Sequence, residues 1–354
     1  MIRRITQFLL LSMLLALLLV STGAYYWQKS LNKPISGLVS NQLIVVERGT
    51  SLTRFVQEMS QRGVFSHPRI MRWYLRWYRP SFVLKAGEYH LTAGMSENEF
   101  LRGLEVGDVV QHRITMVEGE NLNAMLKRLG AADALRHTVP QGIAMGALAK
   151  QLGIDLDHLE GWFLPETYQY TRGSSDVDLL RRMHSAMVAV LESEWSARDE
   201  GLPYSEAFEA LIMASLVEKE TGVAEERRQI AGVFVRRLQK GMRLQTDPSV
   251  IYGLGAEYTG NLTRRHLRED TAYNSYTRHG LPPTPIAMPG REAIHAALHP
   301  TSGTALYFVA KGDGSHKFSD TLEEHREAVQ HYQVLRRRAD YQSSPVRAGK
   351  IHKG

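Results

Sequence analysis

None of the 354 residues is cysteine, which excludes structural disulfides, thiolate nucleophiles, cysteine-ligated zinc and iron–sulfur clusters. The chain also lacks a GxSxG elbow, a Walker-type phosphate loop and a GxGxxG turn, so serine-nucleophile, nucleoside-triphosphate and nicotinamide chemistry have no support. Charge of one sign is scarce in the body of the chain. The formal charge is +6, yet Arg336, Arg337, Arg338, Arg347, Lys350 and Lys353 against Asp340 gather most of the excess at the C-terminal end. That end reads as a solvated tail; no nucleic-acid motif accompanies it, and no nucleic-acid partner is expected. What is present is ordinary for folded protein: 43% hydrophobic and 23% charged residues, over a length sufficient for about two domains.

Residues 8–20, FLLLSMLLALLLV, form an uncharged apolar run, and the uncharged stretch continues to Tyr25, Tyr26 and Trp27. About 20 helical residues cross a hydrocarbon core of roughly 30 Å, so the stretch is long enough to span. Arg3 and Arg4 ahead of it predict a cytoplasmic N-terminus, with the aromatic cluster at the far interface. A cleaved signal peptide, cut near Thr22, Gly23 and Ala24, is the competing reading. In both cases the remainder is exported, which in a bacterium places it beside the cell wall.

The apolar pattern predicts a strand near Leu43, a turn at Gly49 and a helix from Thr50 or Ser51 carrying Phe55, Val56 and Met59. The stretch RWYLRWYR, residues 72–79, interleaves aromatics with arginine. Its aromatics are expected to face the core with the arginines solvated, although such a stripe also suits stacking on sugars or bases. Ser96 and Glu99 form a capping-box pattern, as do Thr321 and Glu324. A strand–glycine–helix pattern around Gly49 echoes one around Gly119 and resembles the start of LysM modules, strand–helix–helix–strand units that bind peptidoglycan glycan.

Further on, ALIMASLV, residues 210–217, is apolar nearly all round and predicts a buried helix, N-capped by Ser205 and ended by Gly222. Glu218 follows the face of Leu211 and Ala214 at the close of this run. Its carboxyl group should be poorly hydrated, the condition that raises a carboxyl pKa toward general-acid use. Glu220 points to the opposite face and is expected to be solvated or paired. Asp247 is either the cap of the following helix or a substrate-contacting carboxylate. The proline-rich segment after Tyr273, Asn274, Ser275 and Tyr276 predicts a stiff loop, and His316 stands at a hairpin strand where it either faces substrate or is structural. His295 and His299 have metal-compatible spacing, but no HExxH pattern surrounds them and Pro300 follows at once, so no metal site is expected.

Five segments taken together, EGWFLPETY (160–168), ASLVEKET (214–221), LQTDPSVIYG (244–253), YNSY with GLPPTPI (273–286) and HKFS (316–319), resemble the YceG-like family of membrane-anchored endolytic murein transglycosylases. Phe163 and Glu166 depart from the pattern. The resemblance implies an α+β fold with an N-terminal transmembrane helix (1–28), a LysM-like α/β module (29–111), a mixed α+β catalytic domain (112–338) and a basic flexible tail (339–354). It implies Glu218 as the catalytic acid, with Asp247, Asn274, Tyr276 and His316 as substrate-binding candidates and no cofactor. The implied reaction is cleavage of MurNAc–GlcNAc β-1,4 bonds with formation of 1,6-anhydro ends. The implied setting is the bacterial inner membrane, single-pass, with the catalytic part periplasmic, peptidoglycan glycan strands as substrate and peptidoglycan synthases as possible neighbours. A hydrolytic muramidase, with Asp247 or Glu220 as second carboxylate, and a non-catalytic wall-binding scaffold are the alternatives.

Overall fold

The computed structural model describes residues 2–36, 38 and 40–335; the basic tail expected over 339–354 lies outside them. The apolar run lies within one continuous helix, α1 (Ile2–Leu31). An 18-residue window of it has a mean hydropathy of 2.2, and it is the one helix among the described residues long and apolar enough to cross a membrane. Its final residue, Leu31, is only 2% exposed. The described residues form two compact units, one reaching to His112 and including Tyr170–Gly173, the other made of Arg113–Gln169 and the described residues from Ser174 onward.

In the first unit the elements run β1 (Gln42–Val46), α2 (Leu52–Gln61), α3 (Pro68–Trp77), β2 (Gly87–Leu91) and α4 (Glu97–Val106). β1 and β2 pair antiparallel with Ile44 opposite Tyr89. Gly49 turns the chain at φ 81°, a value that favours glycine, and Ser51 then caps α2 by accepting the Arg54 N–H. Phe55, Phe65 and Phe100 meet at ring separations of 6.2 to 6.4 Å in the core, beside Leu31. The capping box at Ser96 and Glu99 forms as its pattern predicts. The aromatic stripe departs from expectation. Of its aromatics only Tyr74 turns inward, because Met71, Tyr74 and Leu75 already complete the buried face of α3, leaving Trp73, Trp77 and Tyr78 exposed.

A second two-stranded sheet pairs β3 (Gln111–Thr115) with β4 (Thr167–Thr171). The second unit adds α5 (Leu122–Gly130), α6 (Met145–Leu152), α7 (Asp176–Ser196), α8 (Ala207–Glu220), α9 (Arg227–Gln239), α10 (Asp247–Leu254), α11 (Arg291–Leu298), the hairpin β5 (Tyr307–Ala310) and β6 (His316–Ser319), and α12 (Leu322–Val329). α8 is the centre. Every residue from Ala210 through Glu218 is buried, with α7, α9 and α11 packed around it, as an all-round apolar helix requires.

Both ends of α8 differ from the expectation. Glu206, not Ser205, occupies the N-cap position, and Ser205 donates its N–H and hydroxyl to the Glu209 carboxylate, which reaches back from the first turn. At the other end the β-branched Thr221 turns extended (φ −138°, ψ 141°), so the helix stops without a left-handed glycine and Gly222 plays no capping part. The architecture is mixed α+β, with helices dominating and, among the described residues, the strands forming three two-stranded sheets.

Candidate active site

The last turn of α8 fans three charged side chains in different directions. Glu218 is 4% exposed, and its Oε2 accepts the N–H of Gly290, the N-cap residue of α11, at 3.0 Å. A Cβ at Gly290 would meet the end of the Glu118 side chain, so Glu118 and Glu218 both approach this one backbone position. Lys219 donates its ammonium to the Gly119 carbonyl at 3.1 Å. Glu220 accepts the hydroxyl of Thr246.

Beside this turn opens a cleft of about 1690 Å³, lined by Lys219, Glu220, Glu160, Arg237, Asp247, Tyr252, Tyr276 and His316 among others. Burial pushes the Glu220 carboxyl up to about 7, with the neighbouring Asp247 adding to the effect against the Thr246 hydrogen bond. The sequence-based view of Glu220 as solvated is therefore corrected. Helix-face geometry places it opposite Leu211, but the chain entering α10 folds Thr246 over it.

Asp247 opens α10 without capping it; no side-chain cap bond exists there, and its Oδ1 instead accepts the Tyr276 hydroxyl at 2.6 Å. The strand-like lead into α10 is strained at Gln245, the one non-glycine residue among those described with a left-handed φ, 54°. Ser275 ties the two loops together by donating to the Thr246 carbonyl at 3.1 Å and accepting the Thr246 N–H at 2.9 Å. Asn274 does not line the cleft. It is 0% exposed, its amide donates to the His266 and Glu269 carbonyls at 3.0 and 2.6 Å, and its Oδ1 accepts the Tyr276 N–H at 2.9 Å. Its side chain is spent on shaping the loop that presents Tyr276, a use to which asparagine is suited.

His316 lines the cleft but is clamped: Glu226 accepts its backbone N–H at 2.8 Å and approaches its Nδ1 at 2.7 Å. Arg237, which also lines the cleft, is buried and donates to the carbonyls of Leu306 and Leu244 at 2.7 and 2.8 Å, with its guanidinium 5.0 Å from the Tyr307 ring centre.

One cleft residue carries more weight than its place in the sequence suggested. Glu160 accepts the Leu122 N–H at 2.9 Å and the Tyr252 hydroxyl at 3.2 Å, and burial pushes it to about 7. The available signal was a carboxylate set in an apolar segment, Leu159 to one side and Trp162, Phe163 and Leu164 to the other. Gly161 beside it has φ 84° and lies against Pro285 of the proline-rich loop, where a Cβ would come within 2.5 Å of the ring. Outside the cleft, His295 and His299 pair with acids: His295 Nδ1 lies 2.9 Å from Glu194 and His299 Nδ1 lies 2.9 Å from Asp199. With Glu194 they form the one group of potential metal ligands among the described residues.

Residues 44–331 match the YceG-like family. The chain is 30% identical over 334 residues to an endolytic murein transglycosylase of Bacillus subtilis, covering 89% of this chain and 91% of that protein. It is 28% identical to an endolytic murein transglycosylase of Streptococcus pneumoniae, covering 91% of this chain and 64% of that longer protein. Its fold is similar to the crystal structure of a yceG-like protein from Listeria monocytogenes, with TM-score 0.51 and 28% identity, covering 81% of this chain and 99% of the other. With the match extending from β1 into the segment after α12, the chain belongs to the YceG-like family.

Proposed function

We propose that this chain is an endolytic lytic transglycosylase that cuts MurNAc–GlcNAc β-1,4 bonds in nascent peptidoglycan strands. The observation that carries this reading is a dehydrated carboxyl, Glu218, at the end of a buried helix whose next residues open onto a cleft. At about 1690 Å³ the cleft exceeds the roughly 300 to 1,000 Å³ of small-molecule pockets and suits several sugar units. The relatives named endolytic murein transglycosylases support the substrate class.

In this mechanism Glu218 gives its proton to the glycosidic oxygen as the bond from the muramic C1 to that oxygen breaks. The 6-hydroxyl of the same muramic residue then closes on C1, and its proton returns to the Glu218 carboxylate. The products are a free GlcNAc 4-hydroxyl and a 1,6-anhydro-MurNAc end, with no water consumed. The Gly290 N–H holds one carboxylate oxygen, Oε2, and so orients the group. Tyr276, set by Asn274 and paired with Asp247, and His316, set by Glu226, serve as sugar contacts along the cleft.

A second reading is favoured by Glu220, which lines the cleft and is held near 7. There Glu220 is the acid and Asp247 assists, as a hydrolytic muramidase would use them. Digestion of purified peptidoglycan with identification of the new ends separates the readings. Anhydro ends lost in Glu218→Gln and kept in Glu220→Gln support the first; reducing ends, or the opposite pattern of loss, support the second. Binding without any shortening of strands would indicate a non-catalytic scaffold.

Around this chemistry, α1 serves as a single-pass anchor in the bacterial inner membrane, N-terminus cytoplasmic, with the second unit in the periplasm. The strand–helix–helix–strand run of the first unit serves as a LysM-like glycan-binding module. Peptidoglycan synthases are the proposed neighbours, since nascent strands are found beside them.

A further inference from the structure

α3 has two faces. Met71, Tyr74 and Leu75 are buried in the core of the first unit, while Trp73 is 62% and Trp77 68% exposed, with Ile70, Tyr78 and Val83 also exposed. At about 100° per residue, Ile70, Trp73 and Trp77 fall within about 60° of one another, and Arg69, Arg72 and Arg76 form an adjoining band. All three arginines are exposed, and α3 contains no acidic residue. Proteins rarely leave large aromatics gathered on a surface without a partner.

The neighbouring element says what that partner is. Trp27, in the aromatic cluster that closes the apolar run of α1, packs edge-on against Tyr74 of α3 at 4.8 Å. Tyr74 in turn stacks on Tyr78 at 5.1 Å. Leu31, at the end of α1, sits in the same core as Met71 and Leu75. The exposed stripe is thus carried by a helix fastened to the point where α1 leaves its apolar stretch. Tryptophan favours the headgroup layer, and arginine forks onto phosphate oxygens.

We propose that the outer face of α3 is an interfacial membrane-docking surface. Trp73 and Trp77 lie among the headgroups, and Arg69, Arg72 and Arg76 engage the phosphates of anionic phospholipid. This rests on the reading of α1 as a membrane anchor. The docking adds a second point of attachment, which restrains the first unit against tilting on its anchor.

Because the chain has no cysteine, a single one can be placed at will. Full-length Ile70→Cys, carrying a polarity-sensitive fluorophore, is reconstituted into phosphatidylcholine vesicles with and without phosphatidylglycerol; Val106→Cys, exposed at the end of α4, is the control. The expected result is a blue shift and quenching by headgroup spin-labelled lipid at position 70, stronger with phosphatidylglycerol and absent at position 106. Charge reversal by Arg69→Glu, Arg72→Glu and Arg76→Glu together should return the label toward its emission in water. A water-like label at position 70 in vesicles that the protein demonstrably floats with overturns the docking surface alone. So does a label that responds to added glycan oligomers and not to lipid, or a shift that survives charge reversal. Failure to float with the vesicles overturns the anchor reading and the docking surface together.

Discussion

The backbone N–H of Gly290 and the carboxylate of Glu218, 72 positions apart in sequence, meet at 3.0 Å and join the end of α8 to the start of α11. A donor fixed in the backbone orients the carboxyl. Glutamine at position 218 keeps an oxygen for this N–H, so Glu218→Gln should fold with an unchanged thermal midpoint. It should lose at least the roughly 10² to 10⁴-fold typical of general acid–base catalysis. Mass spectrometry of muropeptides released from purified sacculi measures the loss; turnover like that of the parent protein would remove Glu218 from the mechanism.

Glu160 and Glu220 make stability depend on pH. Each is raised by burial from an ordinary 4.5 to about 7, so between those values the folded protein holds protons that the unfolded chain has released. Stability contributed by the neutral carboxyls is full below pH 4.5 and falls as pH rises toward 7. For Glu160 the effect is at most roughly 3 kcal/mol, at about 1.36 kcal/mol per pKa step. Glu160→Gln should therefore show a smaller drop in thermal midpoint between pH 5 and pH 8 than the parent protein. Equal drops in calorimetry would show that this carboxyl titrates normally.

Asn274→Ala removes two donors to loop carbonyls and the acceptor for the Tyr276 N–H. Left unpaired in a buried site, such groups cost about 1 to 3 kcal/mol each at most. The variant should melt lower and raise KM more than it lowers kcat, because Tyr276 would be misplaced while Glu218 would not. Tyr276→Phe isolates the hydroxyl: with Asp247 deprived of its donor, the same KM rise should appear without the loss of stability. Steady-state kinetics on a defined glycan strand checks both.

Gly161→Ala tests the fit of the EGWF segment against the proline-rich loop. Its left-handed φ of 84° disfavours alanine by about 1 to 2 kcal/mol, and the new methyl overlaps Pro285. A midpoint lowered by several degrees is expected, with no change in which bond is cut. An unchanged melting curve would mean that the loop yields freely.

Much of the fold was legible where one local rule decided it. The capping boxes at Ser96 and Thr321, the glycine turn at Gly49 and the all-round apolar α8 each follow from residues adjacent in sequence. The departures arise where a distant segment intervenes. Glu220 is partly covered by the chain leading into α10, and Asn274 bonds carbonyls of its own loop before it can reach a sugar. Asp247 is drawn off its helix end by Tyr276. The arginine-flanked aromatics of α3 were ambiguous because alternating residue types on a short helix fit several choices of inner face, and packing against α1 chose Tyr74.

Leu31 also constrains how a soluble form of the protein can be made. A truncation starting at Lys33 would discard the anchor neatly by hydropathy, yet it would remove Leu31 from a closed core and Trp27 from the Tyr74 ring. Voids of that size typically weaken a domain by about 2 to 5 kcal/mol. Shortened versions meant for crystals or assays should therefore begin at or before Tyr25, keeping the last two turns of the helix as a plug.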